Sequence, residues 1–331
     1  MMANLRAGLI GLGMMGRHHA RNLRAIDGVN LVAVADAQGD PHGLAGDLPV
    51  LPDVHALLEQ GLDYVVVAAP TMFHEEIGIA IAEAGVAALI EKPLAKTPDG
   101  ARQLVDAFGS RNIVAAVGHI ERYNPALQQL RARLEAGELG ELYQVVTRRQ
   151  GPFPARIADV GVVKDLASHD IDLTAWVTQR DYEWVAARSV FKAGREYEDM
   201  VSATCSLTGG LMSNHLVNWL TPTKERLTAV TGEKGMFVAD TLTADLSFYA
   251  NASVQQTWDD LARFRGVAEG DVTRFAFPKQ EPLRTEHERF RDAVLGKESD
   301  IVTLEQGAQV VRVCEAMIES ARTNAFIDVR P

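Results

Sequence analysis

The stretch that decides the fold is Ala7-Gly8-Leu9-Ile10-Gly11-Leu12-Gly13-Met14-Met15-Gly16. The apolar run over 7–10 predicts a strand. It ends in a Gly-x-Gly-x-x-Gly hexamer that leads into a helical pattern over 14–26. Each glycine has its own task in that order. Gly11 permits a tight turn, Gly13 lets a pyrophosphate approach the backbone, and Gly16 lets helix and strand pack closely. Free N–H groups at the helix start, around Met14 and Met15, then face the phosphates. A second predicted strand, 29–35, ends at Asp36, twenty positions after Gly16. A carboxylate there accepts hydrogen bonds from the adenosine ribose hydroxyls and repels a 2′-phosphate. No Lys or Arg follows it closely, so NAD is expected over NADP.

Outward from this unit, strand and helix alternate. Helices are predicted over 53–60, 74–84 and from Thr97-Pro98 to 108, with Thr97 as N-cap and Pro98 at the first helical position. Strands are predicted over 64–69, 86–90 and 113–117. The run Tyr64-Val65-Val66-Val67-Ala68-Ala69 is apolar throughout, as in a strand buried on both faces. The alternation implies a doubly wound parallel sheet of the Rossmann kind. It breaks near residue 120. A helix over 123–136 follows, then strand-like runs over 142–149, 183–192, 200–207, 211–219, 227–231 and 244–250, with helices over 164–177, 285–295 and 303–322. Gly-rich turns such as Thr208-Gly209-Gly210 join successive strands, which indicates an antiparallel sheet. The fold class expected is α/β: a Rossmann domain over 1–120 and an α/β domain with a large, mostly antiparallel sheet over 121–331.

The 331-residue chain is long enough to bury a large core without disulfides or metals. Its formal net charge of −11 argues against general nucleic-acid binding, which needs clustered Lys and Arg. The two cysteines, Cys205 and Cys314, offer neither metal-ligand spacing nor a disulfide framework, so no metal is expected. With no signal-like segment at residues 1–13 and no long apolar run, the chain is expected to be cytoplasmic and free of membrane spans.

Two places carry candidate chemistry. Glu91-Lys92-Pro93 follows the strand over 86–90, where ligands of open α/β sheets bind. A lysine there can bind a substrate hydroxyl or assist its deprotonation. In the helix over 164–177, Asp165, His169 and Asp172 fall at i, i+4 and i+7 along one face. A carboxylate one turn away can orient an imidazole for acid–base work. Asp170 points elsewhere and is expected to be solvated. His18 and His19 point in different directions and read as surface or packing side chains rather than a metal pair.

Taken together, residues 11–20, Ala69-Pro70-Thr71-Met72-Phe73-His74, Glu91-Lys92-Pro93-Leu94 and Asp165-Leu166-Ala167-Ser168-His169-Asp170-Ile171-Asp172 resemble the Gfo/Idh/MocA oxidoreductases across essentially the whole chain. The resemblance implies hydride transfer between NAD and a secondary alcohol of a sugar or cyclitol. It implies catalytic roles for Lys92, Asp165 and His169, with either Lys92 or His169 as the base. Cofactor contacts are implied at Gly11, Gly13, Met14, Met15, Gly16, Asp36, Pro70, Thr71, His74, Glu91 and Lys92. Thr71 stands where Asn is commoner in the family. The large sheet implies a homo-oligomer. Residues 118–125 and 148–154 resemble members acting on nucleotide-linked amino sugars, which implies Arg122, Tyr123, Asn124 and Arg149 at a pyrophosphate or sugar. The competing reading of those four is a domain junction and a strand with outward arginines. Two alternative functions remain: an inositol or free-sugar dehydrogenase, and a non-catalytic NAD-binding regulator on the same fold.

Overall fold

The computed structural model describes residues 4–154, 160–251 and 270–330. The chain divides into two compact units, Met1–Tyr123 with Gln280–Glu315, and Asn124–Lys279 with Ala316–Pro331.

The first unit is built on six parallel strands: β1 (Leu5–Ile10), β2 (Val29–Ala35), β3 (Val50–Leu51), β4 (Tyr64–Val67), β5 (Ala87–Glu91) and β6 (Ala115–Gly118). Their order is β3-β2-β1-β4-β5-β6, the two-sided Rossmann winding expected from the alternation. The winding reverses between β1 and β4, so the crevice for a ligand opens at their carboxyl ends. Helices α1 (Met14–Ala25), α2 (Val54–Leu58), α3 (His74–Glu83) and α4 (Pro98–Gly109) cover the faces. Strand β4 explains why its sequence is apolar without alternation. Val65 and Val67 enter one buried cluster with Ile81, Leu104 and Phe108, while Tyr64 and Val66 enter the other with Leu23. Helix α4 starts as its sequence dictates: the Thr97 side chain accepts the Gly100 N–H at 3.1 Å, and Pro98 leads the first turn.

The second unit adds α5 (Pro125–Glu135) and α6 (Ser168–Thr178) to a large sheet. Its strands are β7 (Leu142–Pro152), β8 (Tyr182–Val190), β9 (Met200–Leu207), β10 (Leu211–Asn218), β11 (Leu220–Gly232), β12 (Gly235–Asp240), β13 (Asp245–Ala250), β14 (Val272–Phe275) and β15 (Ile327–Asp328). The order is β14-β13-β12-β11-β7-β10-β9-β8-β15, antiparallel at each described pairing except β7 with β10.

Three expectations change. The domain break expected at 120 falls at 123/124, but the second domain is not the continuous stretch 121–331. Residues 280–315, carrying α7 (Pro282–Val294) and the first part of α8 (Leu304–Thr323), belong to the Rossmann unit. The reason is burial: Phe290 of α7 meets Tyr64 of β4 edge-on at 5.4 Å, and Val302, Leu304 and Val311 join the core of Val65 and Ile90. Strands β3, β12, β14 and β15 were not anticipated. Finally, Val163–Ala167 forms a π turn that runs into α6, where a regular α-helix was expected.

Candidate functional site

In the Rossmann unit the glycine turn is built as its three positions require. Gly11 has φ +94°, and a Cβ there would lie 2.5 Å from the Ala68 carbonyl. A Cβ on Gly16 would meet the Gly11 carbonyl oxygen at 1.9 Å, so only glycine lets α1 sit this close to the turn. A Cβ on Gly13 would meet nothing within 4 Å. Gly13 is also the N-cap of α1 and supplies no side chain to cap it, so no capping side chain takes up the first N–H groups. That is a cradle for an anionic group. Met14 is exposed beside it. Asp36 follows β2, and its Oδ2 accepts the Leu12 N–H at 2.7 Å while Oδ1 accepts the Gln38 N–H at 2.8 Å. The carboxylate is thus pinned to the same turn that would hold the phosphates. This donor and acceptor set fits NAD.

At the next two strand ends the chain turns through Ala69-Pro70-Thr71 and Glu91-Lys92-Pro93. Thr71 opens a short 3-10 turn, Thr71–Phe73, and is half-buried, while Pro70 is exposed. His74 departs from its expected place against the cofactor. It is buried between the two turns, with Nδ1 3.0 Å from the Pro93 carbonyl and Nε2 2.9 Å from the Ala69 carbonyl, and the nitrogen that carries the ring proton donates to its carbonyl. Burial holds His74 below the usual histidine range, although both carbonyls pull the other way. Glu91 is also drawn inward. Its Oε1 lies 2.9 Å from His19 Nε2, and its Oε2 accepts the Lys92 N–H at 3.0 Å. Burial pushes the Glu91 carboxyl up, but the His19 and Lys92 interactions outweigh it and hold the group below the ordinary glutamate value. Lys92 itself is half-buried.

In the second unit, the π turn places Asp165 in buried surroundings, and His169 follows on the first turn of α6, half-buried. π turns inside helices occur frequently at functional sites. Glu198, which sequence reasoning missed, sets the start of this turn: its Oε1 accepts the Val163 N–H at 3.0 Å, and its carbonyl accepts the Val162 N–H at 3.0 Å. A Cβ on Gly161 would lie 2.0 Å from that carboxylate. Burial raises the Glu198 carboxyl above its ordinary value, against the Val163 hydrogen bond. Asp172 is buried in α6.

The four residues expected at a pyrophosphate or sugar are corrected by their burial. Arg122 is 5% exposed, and its guanidinium donates to Gln306 Oε1 at 2.8 Å. Tyr123 donates its hydroxyl to the Asp300 carbonyl at 3.2 Å. Asn124 caps α5, accepting the Ala126 N–H at 3.0 Å, and donates to the Thr241 carbonyl at 3.0 Å. Arg149 is 3% exposed and pairs with Asp170 at 2.7 Å, so Asp170 is buried rather than solvated. Alternation along β7 turns Arg148 out and Arg149 in. His19 is buried and His18 exposed.

Comparison with known proteins agrees with this architecture. A family model described as "Oxidoreductase family, NAD-binding Rossmann fold" matches residues 5–119, and one described as "GFO/IDH/MocA C-terminal domain" matches residues 127–238. A UDP-N-acetylglucosamine 3-dehydrogenase from Acidithiobacillus ferrooxidans is 35% identical over 216 residues, 64% of this chain and 66% of that protein. An inositol 2-dehydrogenase from Saccharopolyspora erythraea is 31% identical over 199 residues, 57% of this chain and 58% of that protein. The chain thus aligns with less than two thirds of the length of these curated relatives. A solved structure of the Acidithiobacillus enzyme superposes with a TM-score of 0.84 at 26% identity, covering 97% of this chain and 99% of that one. No helix among the described residues is long and apolar enough to cross a membrane. The chain belongs to the Gfo/Idh/MocA oxidoreductase family, with that family's NAD-binding Rossmann fold at residues 5–119.

Proposed function

We propose that the chain is an NAD-dependent dehydrogenase that oxidises, reversibly, a secondary alcohol of a sugar, and that the sugar is a nucleotide-linked amino sugar. One observation carries the reading: the bare glycine turn with Asp36 pinned to it, on the same sheet edge that presents Glu91 and Lys92. Gly11, Gly13, Gly16 and the start of α1 hold the pyrophosphate of the cofactor, and Asp36 holds the adenosine ribose. Bound NAD supplies a hydride acceptor. His169 takes the hydroxyl proton, or Lys92 takes it directly, and Lys92 stabilises the alkoxide that develops as that proton leaves, before departure of the hydride turns the alkoxide into a carbonyl. Asp165 orients the imidazole or binds a neighbouring hydroxyl.

The likeness to a UDP-N-acetylglucosamine 3-dehydrogenase supports the nucleotide-linked substrate. A second reading, an inositol or free-sugar dehydrogenase, is favoured by the burial of Arg122, Asn124 and Arg149, which withdraws three groups expected at a pyrophosphate. Formation of NADH followed by absorbance, with UDP-N-acetylglucosamine against myo-inositol, separates the two. Turnover of the inositol alone overturns the nucleotide-sugar assignment. Tight NAD binding with no turnover of any polyol overturns the enzyme. We further propose that the chain works as a homo-oligomer through its large sheet. Elution as a monomer in sizing with light scattering refutes this.

A further inference from the structure

Behind Glu91 lies a buried chain of polar groups that the proposed reaction does not use. His19, fully buried in α1, points Nε2 at Glu91 Oε1 and Nδ1 at His287 Nε2, each at 2.9 Å. The two imidazoles meet edge to face with centroids 5.0 Å apart. Glu286, next to His287 on α7, is 1% exposed, and neither of its carboxyl oxygens has a hydrogen-bond partner among the described residues. Burial, and then the Glu91 charge, push the Glu286 carboxyl well above its ordinary value, so it stays protonated. Burial, and then His19, hold His287 well below the histidine range, so it is neutral.

Proton accounting orders these groups. An ionised Glu91 only accepts, so His19 Nε2 carries a proton whatever the charge on the ring. One further proton lies between His19 Nδ1 and His287 Nε2. The remaining oxygen of Glu91 accepts the Lys92 N–H. Hydrogen bonds in such a chain polarise one another in a low-dielectric interior. The space for the carboxylate is also fixed from β6. Gly118 pairs with Glu91, and a Cβ on it would lie 3.3 Å from the Glu91 carboxyl carbon and 3.4 Å from Oε2.

We propose that His19 is a positioning residue: backed by His287, it locks the Glu91 carboxylate as a brace that holds the backbone entering Lys92. The chain therefore runs from α7 through α1 to the candidate active-site lysine, and ends there. The kinetic part rests on the dehydrogenase reading, whereas the protonation part does not. In the cofactor-free chain, nitrogen-15 NMR of the histidines is expected to find the His19 proton on Nε2. A bare Nε2 overturns the proposal, whatever the chain catalyses. In turnover, His19→Leu removes the donor, while His19→Gln keeps an N–H at the Nε2 position. His19→Leu is expected to lose about tenfold in kcat, about 1.4 kcal/mol, with sugar KM within about twofold. His19→Gln is expected to recover kcat to within about threefold of the parent. An equal loss in both variants, or none in the leucine variant, overturns the brace. Should His19→Leu fail to fold, Gly118→Ala tests the same point by crowding the carboxylate. It is expected to lower kcat with NADH binding kept, and an unchanged kcat refutes the brace. If the parent chain oxidises no sugar, the dehydrogenase reading fails, and the NMR result alone decides the state of His19 and Glu91.

Discussion

Asp36 is the residue on which we propose that cofactor choice turns. Its two oxygens already accept the Leu12 and Gln38 N–H groups, so the carboxylate is oriented before any ligand arrives. Hydrogen bonds to a charged acceptor contribute about 1.5–3 kcal/mol each, more than neutral ones. Asp36→Ala is therefore expected to weaken NAD binding by about ten- to a hundredfold, and to narrow the preference over NADP by at least as much. Titration calorimetry with both cofactors reads this directly. An unchanged NAD affinity removes Asp36 from the site, and better use of NADP by the parent chain reverses the assignment. The place of Asp36 was legible in sequence because it depends on position alone: end of the second strand, downstream of the glycines. His74 and Glu91 stood equally plainly in motifs, but their orientation depends on neighbours distant in sequence. His74 is turned inward by the carbonyls of Ala69 and Pro93, and Glu91 by His19.

Elements show the same division between pattern and partner. Strands of the Rossmann sheet, and helices with clear caps such as α4, could be read because apolar periodicity and capping are local. The π turn over Val163–Ala167 could not, because its start is set by Glu198, over thirty residues away. Arg149 failed for a related reason. Alternation fixes that Arg148 and Arg149 face opposite sides of β7, but not which side is wet. Asp170 on α6 decides it, through a 2.7 Å ion pair that is almost wholly buried. Removing one partner of such a pair leaves a bare buried charge and costs about 3–5 kcal/mol, whereas replacing both with apolar groups can be neutral or better. Urea unfolding of Arg149→Met is thus expected to show a loss of that size, and Arg149→Met/Asp170→Leu to recover most of it. If the double variant is no more stable than the single, the pair does not carry the energy assigned to it. Asp170 neighbours His169, so the single variant is also expected to lower kcat.

For the whole molecule, the informative signals were polar residues inside apolar stripes. His19 falls between Gly16 and Leu23 on the buried side of α1, and Glu286 and His287 fall between Leu283 and Phe290 on α7. Sequence alone did not single out Glu286 or His287, and only the return of residues 280–315 to the Rossmann unit brings them near His19. Their burial gives stability two opposed pH dependences. His287 is neutral in the fold, and so is His215 of the second unit, held down by burial to about 4. Each unfolded histidine takes up a proton below about 6.5, so this stabilisation is complete above that pH and is lost as pH falls; for His215 the loss runs from 6.5 to about 4. Glu286 works the other way. Folded, it keeps its proton, while the unfolded chain releases it above about 4.3, so stability falls as pH rises from there toward the raised folded value. Glu286→Gln supplies a neutral group of the same shape and removes that slope. Its midpoint of thermal unfolding is expected to exceed the parent's by more at pH 8 than at pH 5, with the acid limb left to the histidines. Equal differences at the two pH values would mean that Glu286 ionises in the fold, and that a buried charge rather than a protonated acid sits next to His287 on α7.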